Sequence, residues 1–124
     1  MSTSASIAQA LGDIRTRIAT SAREAGRDPA SVGLVAVSKF HPQSSVIAAL
    51  EAGQRLFGEN RVQEAAGKWP ALRAETPGIM LHLIGQLQSN KAEEAVALFD
   101  AIHSVDRSSL VQALAKACAK AGRQ

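Results

Sequence analysis

Short apolar runs recur along this chain at nearly even spacing, and each one hands over to an amphipathic helical pattern. Their centres fall near Val35, Phe57, Leu81 and His103, a period of roughly 22–24 residues, which is the length of a βα unit with short loops. The strands are expected at about 33–38, 55–59, 79–85 and 101–105. The helices between and after them carry Val46, Ile47 and Leu50, then Val62, Ala65, Ala66, Trp69 and Leu72, then Ala92, Ala95, Val96 and Phe99, and last Leu110, Val111, Leu114 and Cys118. Gly53 and Gly122 close the first and last of these helices, and Pro70 is expected to shorten or kink the second. Ser44, Asn60, Asn90 and Asp106 stand where N-caps are expected. Ahead of the cycle, Ile7, Leu11, Ile14 and Ile18 form one apolar stripe of a helix, with Arg15, Arg17 and Arg23 mostly off it, and Gly26-Arg27-Asp28-Pro29 stops that helix.

Strands alternating with helices argue for a parallel sheet with helical cover. The fold class is therefore α/β, with an N-terminal helix and four parallel βα units, enough for a small open sheet or for half of an eight-stranded barrel of the TIM type. In both architectures the functional end is where the strands stop. Here that end carries Ser38-Lys39, Gly58-Glu59-Asn60-Arg61, Gly85 to Lys91 and His103 to Asp106.

Lys39 is the chemically most informative of these residues. It closes the apolar run Gly33 to Ser38, and Phe40-His41-Pro42 follows. An amine at the end of a buried strand is costly to charge and tends to a lowered pKa. As a neutral nucleophile it suits a Schiff base with an aldehyde cofactor. A surface lysine capping a strand end is the alternative. Strand alternation puts Lys39 on the face of Val35 and Val37, and Asn60 on the face of Gly58. Asn60 then serves as a ligand, as a helix cap, or as both. His82 lies within the apolar strand Met80 to Ile84 and reads either as a hydrogen-bonded core histidine or as a site residue. Lys91, in a first helical turn, opposes the helix dipole. It either projects to solvent near Glu93 and Glu94 or helps to hold an anion.

Composition removes several function classes. The 124 residues suit one domain, with 46% apolar and 20% charged residues, the mix of a soluble globular protein. Lys and Arg exceed Asp and Glu by 14 − 11 = 3, and aromatics are 3%, so nucleic-acid binding is not expected. No apolar stretch is long enough to span a bilayer, and no secretory signal is visible. Cys118 is the single cysteine, which fits a reducing, cytoplasmic setting. No second His or Cys stands at metal-ligand spacing, so no metal is expected. Neither a Walker loop nor a dinucleotide fingerprint is present.

The runs Leu34-Val35-Ala36-Val37-Ser38-Lys39, Phe57-Gly58-Glu59-Asn60-Arg61-Val62-Gln63-Glu64, His82-Leu83-Ile84-Gly85-Gln86-Leu87-Gln88-Ser89-Asn90-Lys91 and Ile102-His103-Ser104-Val105-Asp106 are long, ordered and correctly spaced. In them the chain resembles the pyridoxal phosphate homeostasis protein family, from about residue 7 onward. The resemblance implies a barrel like the N-terminal domain of alanine racemase, with pyridoxal phosphate (PLP) held as a Schiff base on Lys39. It implies a role in vitamin B6 and amino acid homeostasis without robust catalytic turnover. Asn60 matches a residue lining the cofactor site, and Lys39, Asn60, His82 and Ser104 together are the candidate cofactor-binding residues.

Two departures qualify this. Many relatives have Lys-Thr-X-Pro where this chain has Lys39-Phe40-His41-Pro42. The family also runs to about eight βα units, so residues 1–124 are expected to be the N-terminal part of the barrel, ending after the fourth unit. The family's phosphate-binding residues and the arginine facing the pyridine nitrogen belong to the other half. An open half-barrel exposes strand edges and apolar side chains such as Val35 and Val37, so self-association is expected. A PLP-dependent racemase is the rival function. It needs a second proton carrier, often tyrosine in this fold. This chain has no tyrosine, and His82 or His41 would have to substitute. A flavodoxin-like module unrelated to B6 would explain four βα units, but not the matched strand ends.

Overall fold

The computed structural model describes residues 3–38 and 43–123. Lys39, Phe40, His41 and Pro42 lie outside the described residues, so the expectations placed on Lys39 and its loop rest on sequence. The elements are α1 (Thr3–Glu24), β1 (Ala36–Val37), α2 (Gln43–Glu51), β2 (Leu56–Glu59), α3 (Val62–Glu75), β3 (Met80–Leu83), α4 (Ala92–Leu98), β4 (Ala101–Ile102) and α5 (Ser108–Ala121). Single 3-10 turns at Pro29–Ser31 and Ser89–Lys91 precede β1 and α4. The strands form one sheet in the order β1-β2-β3-β4, and β3 runs parallel to β4 with His82 opposite Ala101 and Leu83 opposite Ile102. A helix between each pair of neighbouring strands is what parallel pairing requires. The expected α/β class with an N-terminal helix and four βα units is the observed one.

The chain divides into two compact units. In the first, described residues 3–36 and 43–56, helix α1 packs on α2. Leu11 and Ala22 of α1 and Val46, Ala48, Ala49 and Leu50 of α2 are buried. Arg15 lies off the apolar stripe and reaches back into this unit, donating to the Ala52 carbonyl at 3.3 Å and to Gln54 Oε1 at 2.6 Å. Gln54 is itself buried and donates to the carbonyls of Leu34 at 2.6 Å and Leu56 at 2.7 Å. A buried amide is stable only with such partners.

The second unit, residues 37–38 and 57–123, holds most of the core: Phe57, Trp69, Leu81, Leu83 and Leu110 are almost fully enclosed. The rings of Phe57 and Trp69 meet at 4.8 Å between centroids, tilted by 51°, within the range of favourable aromatic pairs. Alternation sorts the strand side chains. Leu81 and Leu83 are buried, while Met80, which alternation puts on the opposite face, is 48% exposed. Val37 is likewise 43% exposed.

Three local expectations differ from what forms. Strands β1 and β4 are two residues long, shorter than the apolar runs that contain them. Pro70 sits inside α3, which continues to Glu75. Proline costs a helix one backbone bond and a clash with the preceding turn, and burial of Val62, Ala65, Trp69 and Leu72 on one face offsets it. The caps also shift. Ser44 lies within α2, and Asn90 lies in the 3-10 turn before α4. Arg61 and Arg107 occupy the N-cap positions of α3 and α5 without any side-chain cap bond, one residue beyond the expected Asn60 and Asp106. The C-terminal stop of α5 is as expected, with Gly122 left-handed at φ 68°, a conformation that costs other residues a Cβ clash.

Candidate functional site

The C-terminal ends of the four strands bring together two small polar clusters and one buried ion pair. The first cluster centres on Gly85, just past β3. A Cβ built there would overlap the Asn60 carbonyl oxygen and stand 2.8 Å from Asn60 Oδ1. Only glycine therefore lets the end of β2 approach the end of β3 this closely. Ser104, past β4, donates its hydroxyl to the Gly85 carbonyl. Asn60 and Ser104, far apart in sequence, thus meet across one residue. Since α3 takes no side-chain cap, Asn60 is not tied up in capping that helix.

The second cluster is a histidine pair. His82 Nδ1 and His103 Nε2 stand 2.9 Å apart, with ring centroids 5.0 Å apart. One nitrogen donates and the other accepts. Burial lowers the His82 pKa below its ordinary 6.5, neighbouring His103 lowers it further, and Asp100 opposes them. His82 is therefore not the lone core histidine that its strand suggests. The register that sets His82 opposite Ala101 carries His103 to the same face two residues on. The two strands expose that relation once their register is known, and His103 is a site candidate that the sequence reading passed over.

The ion pair lies between the ends of β1 and β2. Glu59 is fully enclosed. Its Oε1 accepts from Ser38 Oγ at 2.5 Å, from Lys68 Nζ at 3.0 Å and from Trp69 Nε1 at 3.1 Å. Its Oε2 has no hydrogen-bond partner among the described residues. Lys68 Nζ also donates to the Ser38 carbonyl at 2.9 Å, and the Ser38 N–H donates to the Gly58 carbonyl at 3.1 Å. Glu59, Lys68 and Trp69 were missed in the sequence. The available signal was the alternation of Phe57 and Glu59 against Gly58 and Asn60, which turns Glu59 toward the helix that follows.

Beside this end, Arg61, Gln63, Gln86, Gln88 and Lys91 line an open cleft of about 390 Å³. Lys91 Nζ lies 3.6 Å from Glu94 and is partly exposed, while Glu93 pairs with Lys120 at 3.1 Å instead. Among the described residues no group of three or more His, Cys, Asp or Glu could hold a metal ion, and no helix is long and apolar enough to cross a membrane.

Parallel βα units with their polar groups gathered where the strands end define an α/β protein of the class that places its site at the C-terminal ends of a parallel sheet. No family model matches the chain. It is 46% identical over 110 residues to the pyridoxal phosphate homeostasis protein of Pseudomonas aeruginosa, covering 89% of this chain and 47% of that protein. To the protein of the same name from Escherichia coli K12 it is 42% identical over 102 residues, covering 82% of this chain and 44% of that one. Among solved structures, PipY of Synechococcus elongatus with PLP bound superposes with a TM-score of 0.80 at 45% identity, over 94% of this chain and 50% of PipY; its PLP-free form gives 0.81. The chain spans about half the length of the curated relatives it matches. Over that half it is similar to the pyridoxal phosphate homeostasis proteins.

Proposed function

We propose that this chain is the lysine-bearing half of a PLP-binding protein of vitamin B6 homeostasis, with the cofactor held as a Schiff base on Lys39. The observation that carries this reading is the anchoring of Ser38, the residue bonded to Lys39. Its N–H, hydroxyl and carbonyl all have partners at the sheet's C-terminal end. The relatives' name and the PLP-bound form of PipY support the identity of the ligand.

The residues present suit such a group. A planar polar cofactor needs a nucleophilic amine for its aldehyde, and donors and acceptors around its ring. Asn60 and the His82–His103 pair are of that chemistry, and the Asn60–Gly85–Ser104 contact keeps their strand ends together. Bound PLP would supply an electron sink, and the chain's part is to hold and orient it. We read that part as storage and delivery rather than turnover, in a cytoplasmic protein with no nucleic-acid partner.

Incubation with PLP followed by borohydride and peptide mass spectrometry tests the reading. The expected result is a pyridoxyl mass on the peptide containing Lys39 and its loss in Lys39→Ala. Equal labelling of parent and variant, spread over surface lysines, would sink it.

A further inference from the structure

We infer that the open cleft beside the ends of β2 and β3 is a binding site for a small oxyanion, a phosphate ester or a carboxylate. The inference does not depend on the PLP reading, and the cleft shares no residue with the candidate cofactor residues. Arg61, Gln63, Gln86, Gln88 and Lys91 line it, and its volume is about 390 Å³, within the range of small-molecule sites. No Asp or Glu is among the residues that line it. Two cations therefore share one concavity with no carboxylate on its wall, an arrangement that raises the local concentration of anions. The planar guanidinium of Arg61 matches the paired oxygens of a carboxylate or a phosphate. Glutamine amides add neutral donors for the same oxygens.

Two further observations separate this cleft from an ordinary polar surface. Its side chains are uncommitted. Arg61 holds the N-cap position of α3 without a side-chain cap bond, and Gln88 does the same before the 3-10 turn. Among the described residues, the side chains of Arg61, Gln63, Gln86 and Gln88 make no hydrogen bond or ion pair. Lys91 reaches Glu94 at 3.6 Å, with both side chains partly exposed, and such a pair holds a lysine only weakly. The backbone beneath these side chains, by contrast, is fixed. One wall starts at Arg61, next to Asn60, and the other at Gln86, next to Gly85. Those two neighbours approach so closely that a Cβ on Gly85 would overlap the Asn60 carbonyl, and the Ile84 N–H donates to the Glu59 carbonyl at 2.9 Å. Val62 and Leu87 are buried at the cleft. The Leu87 carbonyl accepts from Arg107 at 2.6 Å, and the Gln88 carbonyl accepts from the Lys91 N–H at 3.0 Å. Fixed walls that carry uncommitted donors take a ligand without the cost of ordering a loop.

The test is a titration of the nitrogen-15-labelled chain with inorganic phosphate and, separately, with citrate, followed by amide chemical shifts. Sodium chloride at equal ionic strength is the reference, which removes general screening. Saturable shifts confined to the amides of residues 61–63 and 86–91 are expected. Arg61→Gln and Lys91→Gln are each expected to raise the apparent Kd about tenfold. Arg61→Lys, which keeps the charge but loses the planar fork, is expected to fall between parent and Arg61→Gln. Lys116→Gln removes the same charge from an exposed position on α5 and is expected to leave the Kd unchanged. Arg61 is exposed and Lys91 partly so, and the amide spectrum of each variant reports its fold; should one fail to fold, the other decides. Saturation by phosphate alone assigns a phosphate ester, by citrate alone a carboxylate, and by both the shared oxyanion chemistry. Shifts no larger than those with chloride, shifts spread over exposed lysines, or a Kd that neither Arg61→Gln nor Lys91→Gln raises overturns the inference.

Discussion

Gly85 shows how much one absent carbon decides. A methyl there would meet Asn60 backbone atoms, its carbonyl carbon at 2.9 Å, and backbone cannot rotate away as a flexible side chain can. Gly85→Ala is expected to cost about 1–3 kcal/mol, the usual price of overpacking, read as a lower urea midpoint, and to weaken PLP trapping by parting the ends of β2 and β3. His82 gives a prediction in pH. Its pKa is lowered in the fold, chiefly by burial and then by His103, so between that lowered value and the unfolded value of about 6.5 the unfolded chain binds more protons. Its contribution to stability is therefore present above the unfolded pKa and is lost as pH falls through the folded one. Thermal unfolding at pH 7.5 and at successively lower pH is expected to show that loss, and His82→Gln to reduce it. The residue types at the rim could be read directly from the sequence. That His82 and His103 touch could not, because contact depends on the register between two strands.

At the scale of elements, the helical stripes were the most legible feature. The face of α3 with Val62, Ala65, Trp69 and Leu72 is buried as its spacing implies, whereas Ala66 of the same expected set is exposed. Propensity misled at the ends, because caps answer to where the chain enters from the preceding strand: Arg61 and Arg107 take N-cap positions that their side chains do not favour. Asp100 joins three elements. Its carboxylate accepts from the Leu81 N–H at 2.8 Å and from Arg73 at 3.2 Å, with Arg123 at 3.7 Å. Asp100→Ala orphans a backbone donor at the start of β3 and is expected to cost about 1–3 kcal/mol. Asp100→Asn should recover part of that in the same unfolding assay, since its amide oxygen still accepts.

At the scale of the whole molecule, apolar side chains remain open to solvent on the sheet-bearing unit: Val37, Met80 and Val105 are 43%, 48% and 43% exposed. Such groups favour association when they form a patch. We expect the sedimentation coefficient of this chain to rise with concentration, and Met80→Lys to suppress that rise; a constant coefficient in the parent would argue for a monomer. Local chemistry sufficed to reveal the periodic strands and helices, the α/β class and the Gly122 stop, since these follow from side-chain spacing and type along the chain. Tertiary structure alone decided that Asn60 and Ser104 meet over Gly85, that His82 pairs with His103, and that Glu59 and Lys68 close on Ser38. Those contacts depend on strand register and on the rotation of α3 against the sheet. Both are set by packing between segments distant in sequence, a quantity that no single segment contains.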